Sequence, residues 1–144
     1  MDSASTNEGD PTAPNKNKHI LLVYSNEATV QQIQSILTNN GYSRISVAPT
    51  AQMAISEMRH TDFDCIVMDI DLSDLDGWRL SRLIRANVLG NKPDIPIIIG
   101  SYTYSYRIAE ATAKEFEVNG FVDLNNIKTL PSTVDEVLYA QQGL

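Results

Sequence analysis

The sequence predicts an α/β domain: a doubly wound parallel sheet of five strands with helices on both faces. Three observations carry that prediction. Short apolar runs alternate with amphipathic helical patterns along the chain, the order that gives parallel strands joined by right-handed crossovers. The runs at residues 20–23, 65–68 and 97–99 are apolar without alternation, as strands covered on both faces are. The 144 residues suffice for one such domain. Five strand–helix units in about 125 residues suit the flavodoxin-like strand order 2-1-3-4-5.

Residues 1–17 are mostly Ser, Thr, Asn, Asp, Pro and Gly without an aliphatic run, so a disordered N-terminal tail is predicted there and the domain over 18–144. Ile20-Leu21-Leu22-Val23 is the first buried strand, and His19 before it reads as an edge residue rather than a metal ligand. Ser25 or Asn26 is placed to cap a helix whose Val30, Ile33, Ile36 and Leu37 fall on one face. Gly41 suits the left-handed position after its last turn. Residues 45–48 read as a second strand, and Thr50 as the cap of a second helix with Met53, Ala54, Ile55 and Met58 in the core. The central strand is Cys65-Ile66-Val67-Met68. Gly77 opens a third helix, with Trp78, Leu80, Leu83, Ile84 and Val88 near one face and Arg79, Arg82 and Arg85 as a solvated stripe on the other. Residues 95–99 are the fourth strand, with Pro96 tolerated near its start. A fourth helix over 107–117 and a fifth strand over 120–123 follow. Pro131, Thr133 and Glu136 read as a helix start with a capping box.

Composition removes whole classes of function. The net charge of −7 argues against direct nucleic-acid binding, which draws its affinity from Lys and Arg on phosphates. No apolar run approaches the roughly 20 residues of a membrane span. No basic, apolar, cleavable series opens the chain, so no signal peptide is expected. Cys65, the single cysteine, lies inside a strand pattern, which fits an inert thiol in a reducing cytoplasm.

The central strand ends in acids. Asp69, Asp71, Asp74 and Asp76 crowd together and Gly77 closes the stretch. In open α/β sheets ligands sit beyond the carboxyl ends of the strands. Asp69 therefore stands where a reactive carboxylate is expected, in a cleft shared with the segment after Val23. The same stretch also suits a solvated turn, because Asp and Gly supply turn chemistry.

The stretch Asp69-Ile70-Asp71-Leu72-Ser73-Asp74-Leu75-Asp76-Gly77 resembles the Asp-x-x-Met-Pro-x-Met-Asp-Gly of response-regulator receiver domains, the phosphoacceptor (CheY-like) modules of two-component signalling. The resemblance covers about residues 18–142 and implies that Asp69 is the phosphoacceptor and that Gly77 is the family glycine. Ser101 falls on the family's hydroxyl switch residue and Phe121 on its switch aromatic. Two departures stand beside these matches. Tyr24 and Ser25 occupy the positions of the acidic pair that holds Mg²⁺, and Leu124 and Asn125 those of the family's Lys-Pro. Of the metal ligands only Asp69 and the backbone of Asp71 remain, with Asp71, Asp74 and Glu27 as nearby acids that would have to rebuild a cation site.

Phosphoryl transfer depends on positioning and on positive charge at the equatorial oxygens. Losing one such stabiliser costs on the order of 100- to 1,000-fold in rate. The resemblance therefore implies a degenerate pseudo-receiver, acting by protein–protein interaction with weak or no phosphorylation at Asp69 and with no cofactor. The alternative is an atypical receiver that uses Mg²⁺ and is phosphorylated on Asp69 by a histidine kinase or phosphotransfer partner. The implied partners are such signalling proteins or an output domain of the same protein, in a bacterial, cytoplasmic setting. The fourth helix, strand five and last helix would form the partner or homodimer face, flanked by Tyr102, Tyr104 and Tyr106. Asp69-Ile70-Asp71 also resembles the nucleophile loop of Asp-dependent phosphatases, but the further acids and lysine of that set are missing, and no enzyme is expected.

Overall fold

Apolar runs with no polar alternation become strands when helices can cover both faces, as those at 20–23, 65–68 and 97–99 do, and residues 44–48 and 120–123 add two more strands. The computed structural model describes residues 16–89, 92–103 and 106–141, with the backbone alone for 106–110 and 141. Strands β1 (His19–Val23), β2 (Arg44–Ala48), β3 (Cys65–Met68), β4 (Ile97–Ser101) and β5 (Gly120–Asp123) form one sheet in the order β2-β1-β3-β4-β5. All neighbouring pairs run parallel. The helices are α1 (Glu27–Asn39), α2 (Ala51–His60), α3 (Gly77–Arg85), α4 (Tyr106–Glu115) and α5 (Leu130–Gln141), and a 3-10 segment, Leu124–Thr129, leads into α5. The architecture is the flavodoxin-like order that the sequence predicts.

Strand alternation sorts the core into two layers. Ile20, Leu22, Cys65, Val67 and Ile98 meet Ile33 and Leu37 of α1 and Leu130, Val134 and Leu138 of α5. Leu21, Val23, Ile66, Met68, Ile97 and Ile99 meet Ala54 and Met58 of α2 and Trp78, Leu80 and Ile84 of α3. Caps fix where the helices begin. Asn26 accepts the Thr29 N–H at 2.9 Å, and Thr50 Oγ1 the Met53 N–H at 3.1 Å. Gly41 follows α1 with φ of 99°.

Several sequence expectations need correction. Met53 is 51% exposed, because α2 buries only the stripe Ala51, Ala54 and Met58. Val88 is also exposed: α3 stops at Arg85, Asn87 takes φ of 60°, and Leu89 is buried instead. The fourth strand starts at Ile97 rather than 95, because Pro96 has no N–H for the ladder; its carbonyl still accepts from Ile66 at 2.9 Å. The capping box at Thr133 is absent. The backbone is already helical from Leu130, and the Thr133 hydroxyl donates back to the Thr129 carbonyl at 3.0 Å.

Two of the three arginines are not simply solvated. Arg82 stacks 4.6 Å from the Phe116 ring centroid. Arg85 donates to the carbonyls of Pro93, Ile95 and Glu117 and to Asn119 Oδ1, at 2.7–3.0 Å. It thus joins the end of α3 to the start of β4 and to the turn before β5. His19 is half-buried against Phe63, with Nε2 2.8 Å from Ser46 Oγ. Lys16, which composition places in the tail, pairs with Asp135 at 3.0 Å and lies 4.3 Å from the Tyr42 ring centroid. Residues 1–15 lie outside the described residues.

Candidate functional site

The same alternation decides what gathers at the carboxyl end of the sheet. Tyr24 continues the face of Ile20 and Leu22, Asp69 that of Cys65 and Val67, Gly100 that of Ile98, and Leu124 that of Val122. Positions 24, 69, 100 and 124 therefore converge above the α1–α5 layer.

Tyr24 is buried, and its hydroxyl donates to the Gly100 carbonyl at 2.9 Å. Burial pushes this phenol well above its ordinary range, and the neighbouring Asp69 carboxylate pushes the same way. It is therefore a neutral donor at any physiological pH. Gly100 is what lets it lie there. A Cβ at position 100 would stand 2.6 Å from Tyr24 Oη and 3.2 Å from Leu124 Cδ2. Leu124 is 3% exposed. Tyr24, the Gly100 backbone and Leu124 interlock at this corner.

Asp69 is half-buried and its backbone N–H still donates to Val23 at 3.0 Å, extending the ladder one residue past β3. Its Oδ1 accepts the N–H of Ile70 at 2.8 Å and that of Asp71 at 3.5 Å. Burial raises the carboxyl above its usual range; the two amide bonds oppose the shift and the Asp71 charge adds to it. Gly77 packs directly on this turn, where a Cβ would stand 2.3 Å from the Asp69 carbonyl oxygen.

The other acids have separate tasks. Asp74 accepts the N–H groups of Ala51 at 3.0 Å and Gln52 at 2.9 Å, so it holds the first turn of α2. Those bonds lower its pKa. Asp76 caps α3 by accepting the Arg79 N–H at 2.9 Å. Asp71 is exposed, as are Ser25 and Glu27. Among the described residues no three His, Cys, Asp or Glu side chains group to hold a metal ion. A divalent cation needs oxygen donors, usually including one or two carboxylates. Tyr24 directs its hydroxyl to Gly100 and Asp74 its carboxylate to α2, which leaves Asp69 and the exposed Asp71 as the carboxylates beside the end of β3.

Ser101 is buried, and its Oγ accepts the Thr103 N–H at 3.1 Å and lies 3.2 Å from Thr103 Oγ1. Phe121 is half-buried against the α2–α3 layer. Tyr102 is 44% exposed and reaches α1, its hydroxyl donating to Gln32 Oε1 at 3.0 Å. Its carbonyl accepts from Asn125 Nδ2 at 3.0 Å. Tyr104 and the side chain of Tyr106 lie outside the described residues. Sequence reasoning missed Gly100, Gln32 and the reach of Tyr102. A glycine interrupting an isoleucine strand was the available signal, since such a residue marks close backbone approach.

Residues 20–128 match the response regulator receiver domain family. Curated relatives include a transcription factor, SKN7, of Candida albicans, 33% identical over 52% of this chain and 13% of its own length. Another is the transcriptional regulatory protein YvrH of Bacillus subtilis, 33% identical over 49% of this chain and 30% of its own. The chain thus spans less than a third of the length of these relatives. Among solved structures, a CheY-like receiver domain protein of Methanospirillum hungatei superposes with a TM-score of 0.73 at 23% identity, covering 88% of this chain and 98% of that one. The receiver domain of a sensor histidine kinase of Pseudomonas aeruginosa, solved with a magnesium ion in its active-site cleft, superposes with a TM-score of 0.71 at 22% identity. It covers 86% of this chain and 98% of that one. No helix among the described residues is long and apolar enough to cross a membrane.

Proposed function

The chain belongs to the response regulator receiver domain family, and we propose that within it the chain is a pseudo-receiver, a signalling module that acts by protein–protein interaction without efficient phosphorylation. It is no enzyme in this reading and needs no metal. One observation carries the proposal: Tyr24 and Leu124, at the positions that resemblance gives to a metal-binding acid and a lysine, interlock over Gly100. Phosphoryl transfer to Asp69 needs positive charge at the equatorial oxygens. Here a neutral phenol and an aliphatic side chain fill those positions, and Asp74 serves α2 instead. The partner is a signalling protein, either a histidine kinase, a phosphotransfer protein or an output domain of the same protein.

The second reading, an atypical receiver phosphorylated on Asp69 with Mg²⁺, draws on the half-buried Asp69 and on the magnesium held by a structural neighbour. A thermal melt with Mg²⁺ and beryllofluoride, which mimics a phosphoryl group on a carboxylate, separates the two. A ligand at 100 times its Kd that binds only the folded state adds about 2.7 kcal/mol, a shift of several degrees. The pseudo-receiver predicts no shift at millimolar concentrations. A shift that Asp69→Ala abolishes would establish the second reading.

A further inference from the structure

Among the described residues, ties from four sides fasten 100–103, where the chain leaves β4. From the core, Tyr24 Oη holds the Gly100 carbonyl at 2.9 Å. Within the turn, Ser101 Oγ accepts the Thr103 N–H at 3.1 Å. From beyond β5, Asn125 Nδ2 donates to the Tyr102 carbonyl at 3.0 Å. Asn125 is itself oriented by Asp123 Oδ1, which accepts its backbone N–H at 2.9 Å and its side-chain amide at 3.0 Å. From α1, Gln32 Oε1 accepts the Tyr102 hydroxyl at 3.0 Å. Asp69 takes part in none of these bonds; its Oδ1 is turned to its own loop.

The four ties differ in strength. The Tyr24 bond is buried, so breaking it leaves an unpaired group in the core. The Tyr102–Gln32 bond is exposed, where water replaces either partner at small cost. One tie is a fixed anchor and the other is releasable.

We infer that Tyr102 is a latch: hooked to Gln32 and Asn125, it sets the conformation of residues 101–103, and that turn responds to changes on α1 rather than to Asp69. The inference rests on the pseudo-receiver reading and supplies its regulation. In a receiver driven from its carboxylate, the buried Ser101 hydroxyl would have to answer to position 69. Here it is satisfied within its own turn, and the turn is held through Tyr102 against the rim of the groove between α1 and the 3-10 segment, where Gln32, Ile36, Leu124 and Asn125 also lie. Displacing Gln32 loosens the Tyr102 end of the turn, whereas altering Asp69 leaves it in place.

NMR amide exchange on the full chain tests this, comparing wild type with Tyr102→Phe, Gln32→Leu, the double variant and Asp69→Asn. Both positions 32 and 102 are at the surface, and a thermal melt of each variant confirms that it folds. Tyr102→Phe and Gln32→Leu should each speed exchange at Thr103 by about 3- to 10-fold. The double variant should go no further than either single one, since both remove the same bond. Asp69→Asn should leave Thr103 within about two-fold of wild type. Unchanged exchange in Tyr102→Phe, additive effects in the double variant, or an equal response to Asp69→Asn would each overturn the latch. Beryllofluoride on the wild-type sample decides the pseudo-receiver reading separately: Asp69-dependent binding would overturn that reading, and the Tyr102–Gln32 comparison would still decide the latch.

Discussion

A methyl group added at position 100 has nowhere to go, since it would stand 2.6 Å from Tyr24 Oη. Gly100→Ala should therefore cost about 1–3 kcal/mol in urea unfolding, the usual range for overpacking a core. Part of that cost should vanish when Tyr24→Phe removes the oxygen, so the pair should be non-additive in a double-mutant cycle. Asp69 makes a prediction of opposite sign. Its folded-state carboxyl is raised above the ordinary value, chiefly by burial, so the charged form opposes folding at neutral pH. Asp69→Asn keeps an oxygen for the Ile70 N–H and should raise Tm at pH 7 by about a degree or two. The gain should fade below about pH 4, where the carboxyl is protonated in both states. A melt at each pH checks it.

Among the elements, Arg85 shows how one side chain joins segments far apart in sequence. Its guanidinium reaches three backbone carbonyls and Asn119 Oδ1 from the end of α3, geometry that a single ammonium cannot reproduce. Arg85→Lys should cost about 2 kcal/mol in urea unfolding. Sequence periodicity treats this residue as a surface charge because position on a helix says nothing about which loops end beside it. Element type and order were legible throughout, since hydrophobic spacing and the caps at Asn26 and Thr50 are local signals. The edges that moved were set by non-local facts: a missing Pro96 N–H, an Asn87 in the left-handed region, a 3-10 segment feeding α5. The candidate site divides in the same way. Asp69, Tyr24 and Leu124 stand at strand ends and could be placed by counting. The duties of Asp74 toward α2 and of Tyr102 toward α1 cross between elements and leave no mark in the spacing.

At the scale of the whole molecule, the sheet brings four strand ends to one corner, and the chain as a whole carries a net charge of −7. Excess like charge opposes compaction and salt screens it, with a Debye length of about 10 Å at 0.1 M. Raising NaCl from about 10 mM to 0.5 M should therefore raise Tm by a few degrees; a flat response would mean that local pairing has already balanced the charge. The interlock at the corner also decides which single substitutions the chain tolerates there. Tyr24→Asp alone would set a carboxylate beside Asp69 and empty the space over Gly100, while Leu124→Lys alone would sink an ammonium into a position only 3% exposed. Each substitution gives up several kcal/mol, against a total stability of about 5–15 kcal/mol. Packing at this corner thus opposes either substitution made on its own, and the demands of the fold alone are enough to keep Tyr24 and Leu124 in place.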